Sequence, residues 1–184
     1  MSRTADRLRL TSASIPEEED MDRDEVIEVL EKPISQELLG SGIPTRLAYT
    51  GLDGGPRVVP VAFWWTGAQL VVCTLPKMAK VRALRRKPRV AITIDTQGQW
   101  PPRVLLMRGS ARLEPDDGVP DEYVVASRKV TPTEEFVGWE VGVRALYDEM
   151  VRITSEPDWA KLLDFETTIP KAVEDLARAK MGQG

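Results

Sequence analysis

Histidine is absent from the 184 residues, and cysteine occurs once, as Cys73. Without an imidazole there is no Ser-His-Asp or Cys-His relay, no ordinary zinc-hydrolase ligand set and no proximal-histidine haem ligation. One thiol excludes an intrachain disulfide, fits a reducing cytoplasm and leaves no soft-metal site. Long apolar runs are missing as well, stretches such as Val58 to Trp65 being far too short to span a bilayer. Residues 1–20 carry no apolar segment of the kind a secretory signal needs. Neither sign of charge dominates: 25 Lys and Arg face 29 Asp and Glu, a net charge of -4, which gives no global pull toward nucleic acid or anionic membrane. What is present is an ordinary globular composition, 42% hydrophobic and 29% charged, in a chain of one domain's length that can bury a core. Chemistry in such a chain falls to a bound organic cofactor.

Residues 1–20 are polar, with the acidic run Glu17 to Asp20, and read as a disordered tail ahead of a single domain over 21–184. Val26, Ile27 and Leu30 mark a short helix from Asp24, interrupted by Pro33. Leu38 and Leu39 followed by Gly40 mark a second helical turn with its stop. Then the pattern becomes β. Arg46 to Thr50 is a strand, Asp53-Gly54-Gly55 a hairpin turn, Arg57 to Trp65 a strand, Thr66-Gly67 a turn and Leu70 to Thr74 a strand. Short turns between strands describe an antiparallel meander. Pro76 to Lys87 reads as a helix with Met78, Val81 and Leu84 on one stripe, stopped by Pro88. Val90 to Ile94 and Val104 to Leu113 add two strands, with Gly109 a bend or bulge in the second. Five or six antiparallel strands broken by one helix predict a small barrel or curled sheet, in the mainly β, α+β class.

The last third turns helical. Asp121 to Lys129 is one helix. Thr131-Pro132-Thr133-Glu134 has the form of a capping box with Thr131 as N-cap and Pro132 in the first position. Phe136, Trp139, Val143, Leu146 and Met150 then recur at helical spacing, which predicts a helix of about five turns. Val151 to Thr154 returns as a strand, and Pro170 to Met181 closes the chain as a helix. Asp116 and Asp117 read as solvated turn residues, Cys73 as a buried small hydrophobe. Trp64 and Trp65 point to opposite faces, one into the core and the other onto a dimer or pocket wall.

The stretch from Arg57 to Leu84 carries the chemistry. Pro60 lies in a β run although proline cannot donate to a ladder. Either the strand is an edge, or the backbone around Val59, Pro60 and Val61 leaves the ladder to meet a flat ligand. Thr74-Leu75-Pro76-Lys77-Met78-Ala79-Lys80 joins a strand end to a helix start. There unpaired N–H groups, a hydroxyl and the two lysines suit a phosphate. Arg85, Arg86 and Lys87 read as the helix's solvated face, and Arg57 as an exposed arginine or an electrostatic partner of a ligand.

Asp53-Gly54, Pro56, Pro60-Val61, Thr74, Lys80 with Leu84, Pro88-Arg89-Val90 and the later Gly109-Ser110-Ala111 together resemble the pyridoxamine 5′-phosphate oxidase-like, or flavin/deazaflavin oxidoreductase, family. The likeness covers about residues 25–115, with Lys87 where that family often has asparagine. It implies an antiparallel split β-barrel of FMN-binding type and a homodimer with the cofactor at the interface. Thr74, Lys77 and Lys80 would hold the cofactor phosphate, with backbone contacts from Met78 and Ala79. Val59, Pro60 and Val61 would lie along the ring. Gln99 and Trp100 would come from the partner subunit or the pocket rim. Pyridoxal phosphate oxidation in that family uses a histidine-containing motif, which this chain lacks. The activity implied is hydride transfer to or from a small unsaturated substrate by FMN, or alternatively by the deazaflavin coenzyme F-420, whose polyglutamate tail would need a basic track such as Arg82, Arg85 and Arg86. The rival is a non-catalytic protein that stores a flavin or a tetrapyrrole. No side chain stands out as acid or base.

Overall fold

The structure is a computed structural model that describes residues 20–165 together with 175, 176 and 178–180. Two short helices lead in: α1 (Arg23–Glu31) and α2 (Pro33–Gly40). Asp22 caps α1, accepting from the Glu25 N–H while the Glu25 carboxylate accepts from the Asp22 N–H. Pro33 does more than interrupt: it opens α2. There its missing N–H costs nothing. Val26, Leu30, Leu38 and Leu39 turn inward.

Seven strands follow: β1 (Thr45–Thr50), β2 (Pro56–Val61), β3 (Trp64–Trp65), β4 (Leu70–Thr74), β5 (Arg89–Asp95), β6 (Arg103–Asp117) and β7 (Glu149–Asp164), with α3 (Ala79–Leu84) between β4 and β5. All pairs are antiparallel, in the order β2-β1-β5-β6-β7-β4-β3. That order places β2 and β3 at opposite edges, yet only Ala62 and Phe63 separate them in sequence. Three Cα steps reach about 11 Å. A flat seven-stranded sheet would hold its edges about 29 Å apart at the usual strand spacing. The sheet therefore curls until its edges meet, which is barrel closure. Phe63, 2% exposed, plugs the crossing. The Lys129 ammonium clasps it from outside, 5.2 Å from the Phe63 ring, 5.1 Å from the Trp64 ring and donating to the Leu39 carbonyl at 3.4 Å. Trp65 is buried and Trp64 half-buried, on opposite faces.

The expected single strand from Arg57 to Trp65 is thus two strands on two edges. Other boundaries shift as well. α3 covers six residues, not the whole of Pro76 to Lys87. Pro76 to Met78 is a turn, so Met78 is 44% exposed instead of on the inward stripe, while Val81 and Leu84 are buried. After α4 (Asp121–Arg128), Thr131 does not cap the next helix: its N–H closes α4 by donating to the Ser127 carbonyl. α5 (Thr133–Leu146) starts behind Pro132 with no side-chain cap. Only Phe136 of its stripe is buried, Trp139 stacking on Tyr123 and Phe136, and Leu146 is 67% exposed. Met150, expected on that helix, is a core residue of β7. Asp116 and Asp117 belong to β6, and Asp116 takes the Arg152 guanidinium at 2.7 Å. The tail over 1–19 and most of the final helix lie outside the described residues, of which 175, 176 and 178–180 are helical.

β6 and β7 are 15 and 16 residues long because each serves two halves of the barrel. Residues 104–110 of β6 pair with β5, while residues 151–155 of β7 pair with β4. The register slips between Arg108 and Gly109, at the junction of the halves. Arg108 faces Trp159 and Gly109 faces Pro157, leaving Asp158 as the extra residue of a bulge. A single core runs through both halves, with Leu47, Leu70, Leu84, Ile92, Ile94, Leu105, Met107 and Val151 among its most buried members.

A Cβ on Gly109 would sit 2.6 Å from both the Glu156 carbonyl and the Ser155 hydroxyl. Gly109→Ala should destabilise by about 1–3 kcal/mol through overpacking at the bulge. Gly142→Ala, on α5 with open space around it, should stabilise by roughly 0.5–1 kcal/mol through helix propensity. Urea unfolding of both variants checks the contrast. Equal effects would place the strain elsewhere.

Candidate functional site

β4 delivers Thr74 to the end of a ladder, 7% exposed, and the turn after it carries the chain into α3. Lys77 and Ala79 are exposed there, and Met78 nearly half so. Lys80 is different. It is 9% exposed on the inward side of α3, and no hydrogen bond or ion pair satisfies its ammonium among the described residues. Burial holds its pKa below the ordinary lysine value. A partly desolvated cation without a counter-charge is costly, and its ammonium reaches the surface where an anion could meet it. That is the strongest local signal for an anionic ligand in the molecule. α3 is one and a half turns long, so the dipole expected at its N-terminus is small, and the side chain carries more weight than the helix.

The flank of α3 that carries Ala79 and Ala83 faces the β1–β2 hairpin. Ala79 and Ala83 line a hollow of about 250 Å³ with Tyr49, Leu52, Asp53 and Arg57. Gly54, at φ 85°, makes the tight turn of that hairpin. The Asp53 carboxylate accepts from the Gly55 N–H at 3.0 Å and from Arg57 Nη2 at 2.6 Å, which together hold its pKa below the usual carboxylate range. Arg57 is thereby fixed at the hollow's edge. A second hollow of about 400 Å³ shares Tyr49 and Arg57 and extends over Ala48 and Ala91 to Arg89 and Arg108. Sequence reading passed over Arg89 and Arg108 as site residues. The available signal was their period-two alternation, which puts Arg89, Ala91 and Thr93 on the outer face of β5.

The other expected site residues are placed apart. Val59, Pro60 and Val61 stay in register opposite Leu47, Arg46 and Thr45, so the ladder does not open at Pro60; the backbone departs at Ala62. β2 is an edge strand, where a missing N–H is tolerated. Val59 and Val61 lean on the core and Pro60 is exposed; none of the three lines either hollow. Gln99 and Trp100, both exposed and Trp100 by 89%, sit in the β5–β6 connection. That is the far end of β5 from Arg89, about 20 Å away at ordinary strand rise. Within one subunit they do not rim the hollows.

One residue before Thr74 on β4, Cys73 lies beside Arg152, which bridges Asp116 at 2.7 Å and Glu122 at 3.2 Å. Burial, with Glu122 second, pushes the Cys73 thiol up to about 12, so it is no nucleophile at ordinary pH. Among the described residues no cluster of three or more His, Cys, Asp or Glu is placed to hold a metal, and no helix is long and apolar enough to cross a membrane.

No family model matches the sequence, and no curated protein matches it. Solved structures do match the fold. An F420 reductase superposes with a TM-score of 0.55 at 25% identity, over 68% of this chain and 94% of that one. This chain has the pyridoxamine 5′-phosphate oxidase-like split-barrel fold. A protein from Clostridium acetobutylicum related to general stress protein 26, of the pyridoxinephosphate oxidase family, shares the split barrel at a TM-score of 0.50 and 13% identity, over 78% of this chain and 90% of its own. So does HutZ, the heme storage protein of Vibrio cholerae, at 0.52 and 16%, over 72% and 92%.

Lys80 sets up a pH test of the split barrel. Because burial lowers its folded pKa, the unfolded chain holds the proton more tightly than the native protein does. The penalty is complete below the folded pKa and fades as pH climbs toward the unfolded value of 10.5. Lys80→Met should therefore raise the thermal midpoint of the ligand-free protein at neutral pH, by a margin that shrinks as pH approaches that value. A margin independent of pH would show that the ammonium is solvated.

Proposed function

We propose that this split barrel is a homodimeric oxidoreductase of the cytoplasm, which binds a phosphate-bearing flavin-type cofactor and passes hydride to or from a small unsaturated substrate. The observation that carries the reading is the Lys80 side chain at the start of α3, largely buried and with an ammonium that no described residue partners. A cofactor phosphate gives it the missing counter-charge, with Thr74 and Lys77 as further donors and Met78 and Ala79 as backbone contacts. Arg57, already fixed by Asp53, closes the cradle from the hairpin side. The edge strand β2 offers Val59 to Val61 to the ring. Gln99 and Trp100 would enter from the partner subunit, since their own subunit keeps them a strand's length away. The bound ring supplies the hydride chemistry; the protein binds, orients and keeps out water.

FMN and coenzyme F-420 both present a tricyclic ring and a phosphate. The likeness to an F420 reductase at 25% identity puts the deazaflavin ahead of FMN. Arg82, Arg85 and Arg86, all exposed, remain the candidate track for its polyglutamate tail. Because the fold is shared with a heme storage protein, the second reading is non-catalytic storage of a flavin or tetrapyrrole. Turnover of the bound cofactor by a reductant and an acceptor separates the two.

Calorimetric titration of the ligand-free protein with each cofactor tests the reading directly. Lys80→Ala should weaken binding by about 1.5–3 kcal/mol, the scale of hydrogen bonds to a charged group. Arg86→Ala should change FMN binding, which involves no polyglutamate tail, by less than about 0.5 kcal/mol, as an ordinary surface substitution does. Equal losses would misplace the site, and failure of both cofactors to bind would overturn the oxidoreductase reading. Light scattering at micromolar concentration should report a dimer; a monomer there would remove the partner-supplied Gln99 and Trp100 from the site.

A further inference from the structure

Three guanidiniums converge on the 400 Å³ hollow over β1, β5 and β6, and no carboxylate lines it. Each arginine is held by a different device. Arg57 is pinned by Asp53. Arg89 donates through both Nη atoms to Asp158, the residue that the bulge in β7 displaces from the ladder. Arg108 lies flat over Trp159, its cross-strand neighbour, with 4.3 Å from guanidinium carbon to ring centroid. Between them the floor is two small side chains, Ala48 and Ala91, directly opposite one another on β1 and β5. Ala91 in turn faces Arg108 on β6. Asp53 and Asp158 partner Arg57 and Arg89 from outside the lining, so the guanidiniums, not the carboxylates, face the hollow.

We propose that this hollow binds a small planar carboxylate. A flat alanine floor beside a guanidinium laid on an indole accommodates a flat body, and arginine forks match a carboxylate two bonds at a time. Since each arginine already has a partner that narrows its rotamers, an incoming anion orders fewer side chains than it would among unpartnered ones. The hollow adjoins the Arg57 corner of the cofactor cradle, which makes the carboxylate the substrate; that last assignment rests on the oxidoreductase reading, whereas the anion site does not.

Benzoate, its neutral analogue benzyl alcohol and inorganic phosphate are the probes, titrated into the full-length protein and followed by calorimetry and saturation-transfer NMR. Benzoate should bind, with benzyl alcohol at least about tenfold weaker, the loss expected for one charge-assisted contact. Arg108→Gln should weaken benzoate by about tenfold on the same scale. Ala91→Leu, which fills the floor without touching a charge, should abolish binding, and Lys87→Gln, on the solvated face beyond α3, should leave it unchanged. Circular dichroism verifies that each variant is folded. Equal binding of benzoate and benzyl alcohol, phosphate binding as tight as benzoate, or full binding by Ala91→Leu would each overturn the proposal. Displacement of bound FMN or F-420 by benzoate would assign the hollow to the cofactor and overturn the substrate assignment. Benzoate binding by a protein that takes neither cofactor would uphold the anion site and sink the oxidoreductase reading.

Discussion

Two residues hold this barrel shut. Ala62 and Phe63 must carry the chain from one edge of a seven-stranded sheet to the other, and no flat sheet allows it. Everything else in the β framework is consistent with that short strap. The central strands β6 and β7 are long enough to belong to both halves, and a bulge at their middle lets the sheet turn the corner. The strap is gripped on both sides, by the core around Phe63 and by the Lys129 ammonium over two aromatic rings. β2, released from any second neighbour, becomes an edge on which a proline is harmless.

The same bulge links framework to chemistry. Removing Asp158 from the ladder turns its carboxylate toward Arg89, and the slip in register sets Arg108 across from Trp159. A device needed to bend the sheet therefore also aims two cations. Lys80 is the counterpart on the other side of Arg57, a charge whose burial lowers stability until something anionic arrives. The arginine hollow and the Ala79–Ala83 hollow beside α3 share Tyr49 and Arg57.

Elements bounded by their own punctuation were legible in the sequence. Leu70 to Thr74 lies between the Thr66-Gly67 turn and Pro76, and its limits match β4. Gly109 declared the bulge because a glycine inside a strand marks a bend or a close backbone approach, which is made here to the Glu156 carbonyl. Local signals failed where tertiary structure reused them. Thr131 had the form of a cap but completes the helix before it, and Met150 kept helical spacing with α5 while standing on a strand. The stretch from Arg57 to Trp65 is uniformly β in composition, so nothing local announces that the chain changes edges inside it. Lys80 could be read because strand, turn and lysine are consecutive. Arg89 and Arg108 could not, since they meet only through strand register across eighteen intervening positions.

The pairing of β4 with β7 joins Leu70 to Ser155 and Thr74 to Val151. These are contacts between residues made far apart in time on a ribosome. Until β7 emerges, the nascent chain can form the β1–β2 hairpin and the β1–β5–β6 ladder, but β4 has no neighbour except the two-residue β3. The strap around Phe63 then has nothing to close onto. Long-range antiparallel pairing of this kind is slow, and unpaired edges are prone to association while they wait. Closure of the barrel accordingly waits on β7: the apolar strand Leu70 to Cys73 stays without its long neighbour until Val151 to Ser155 has been made.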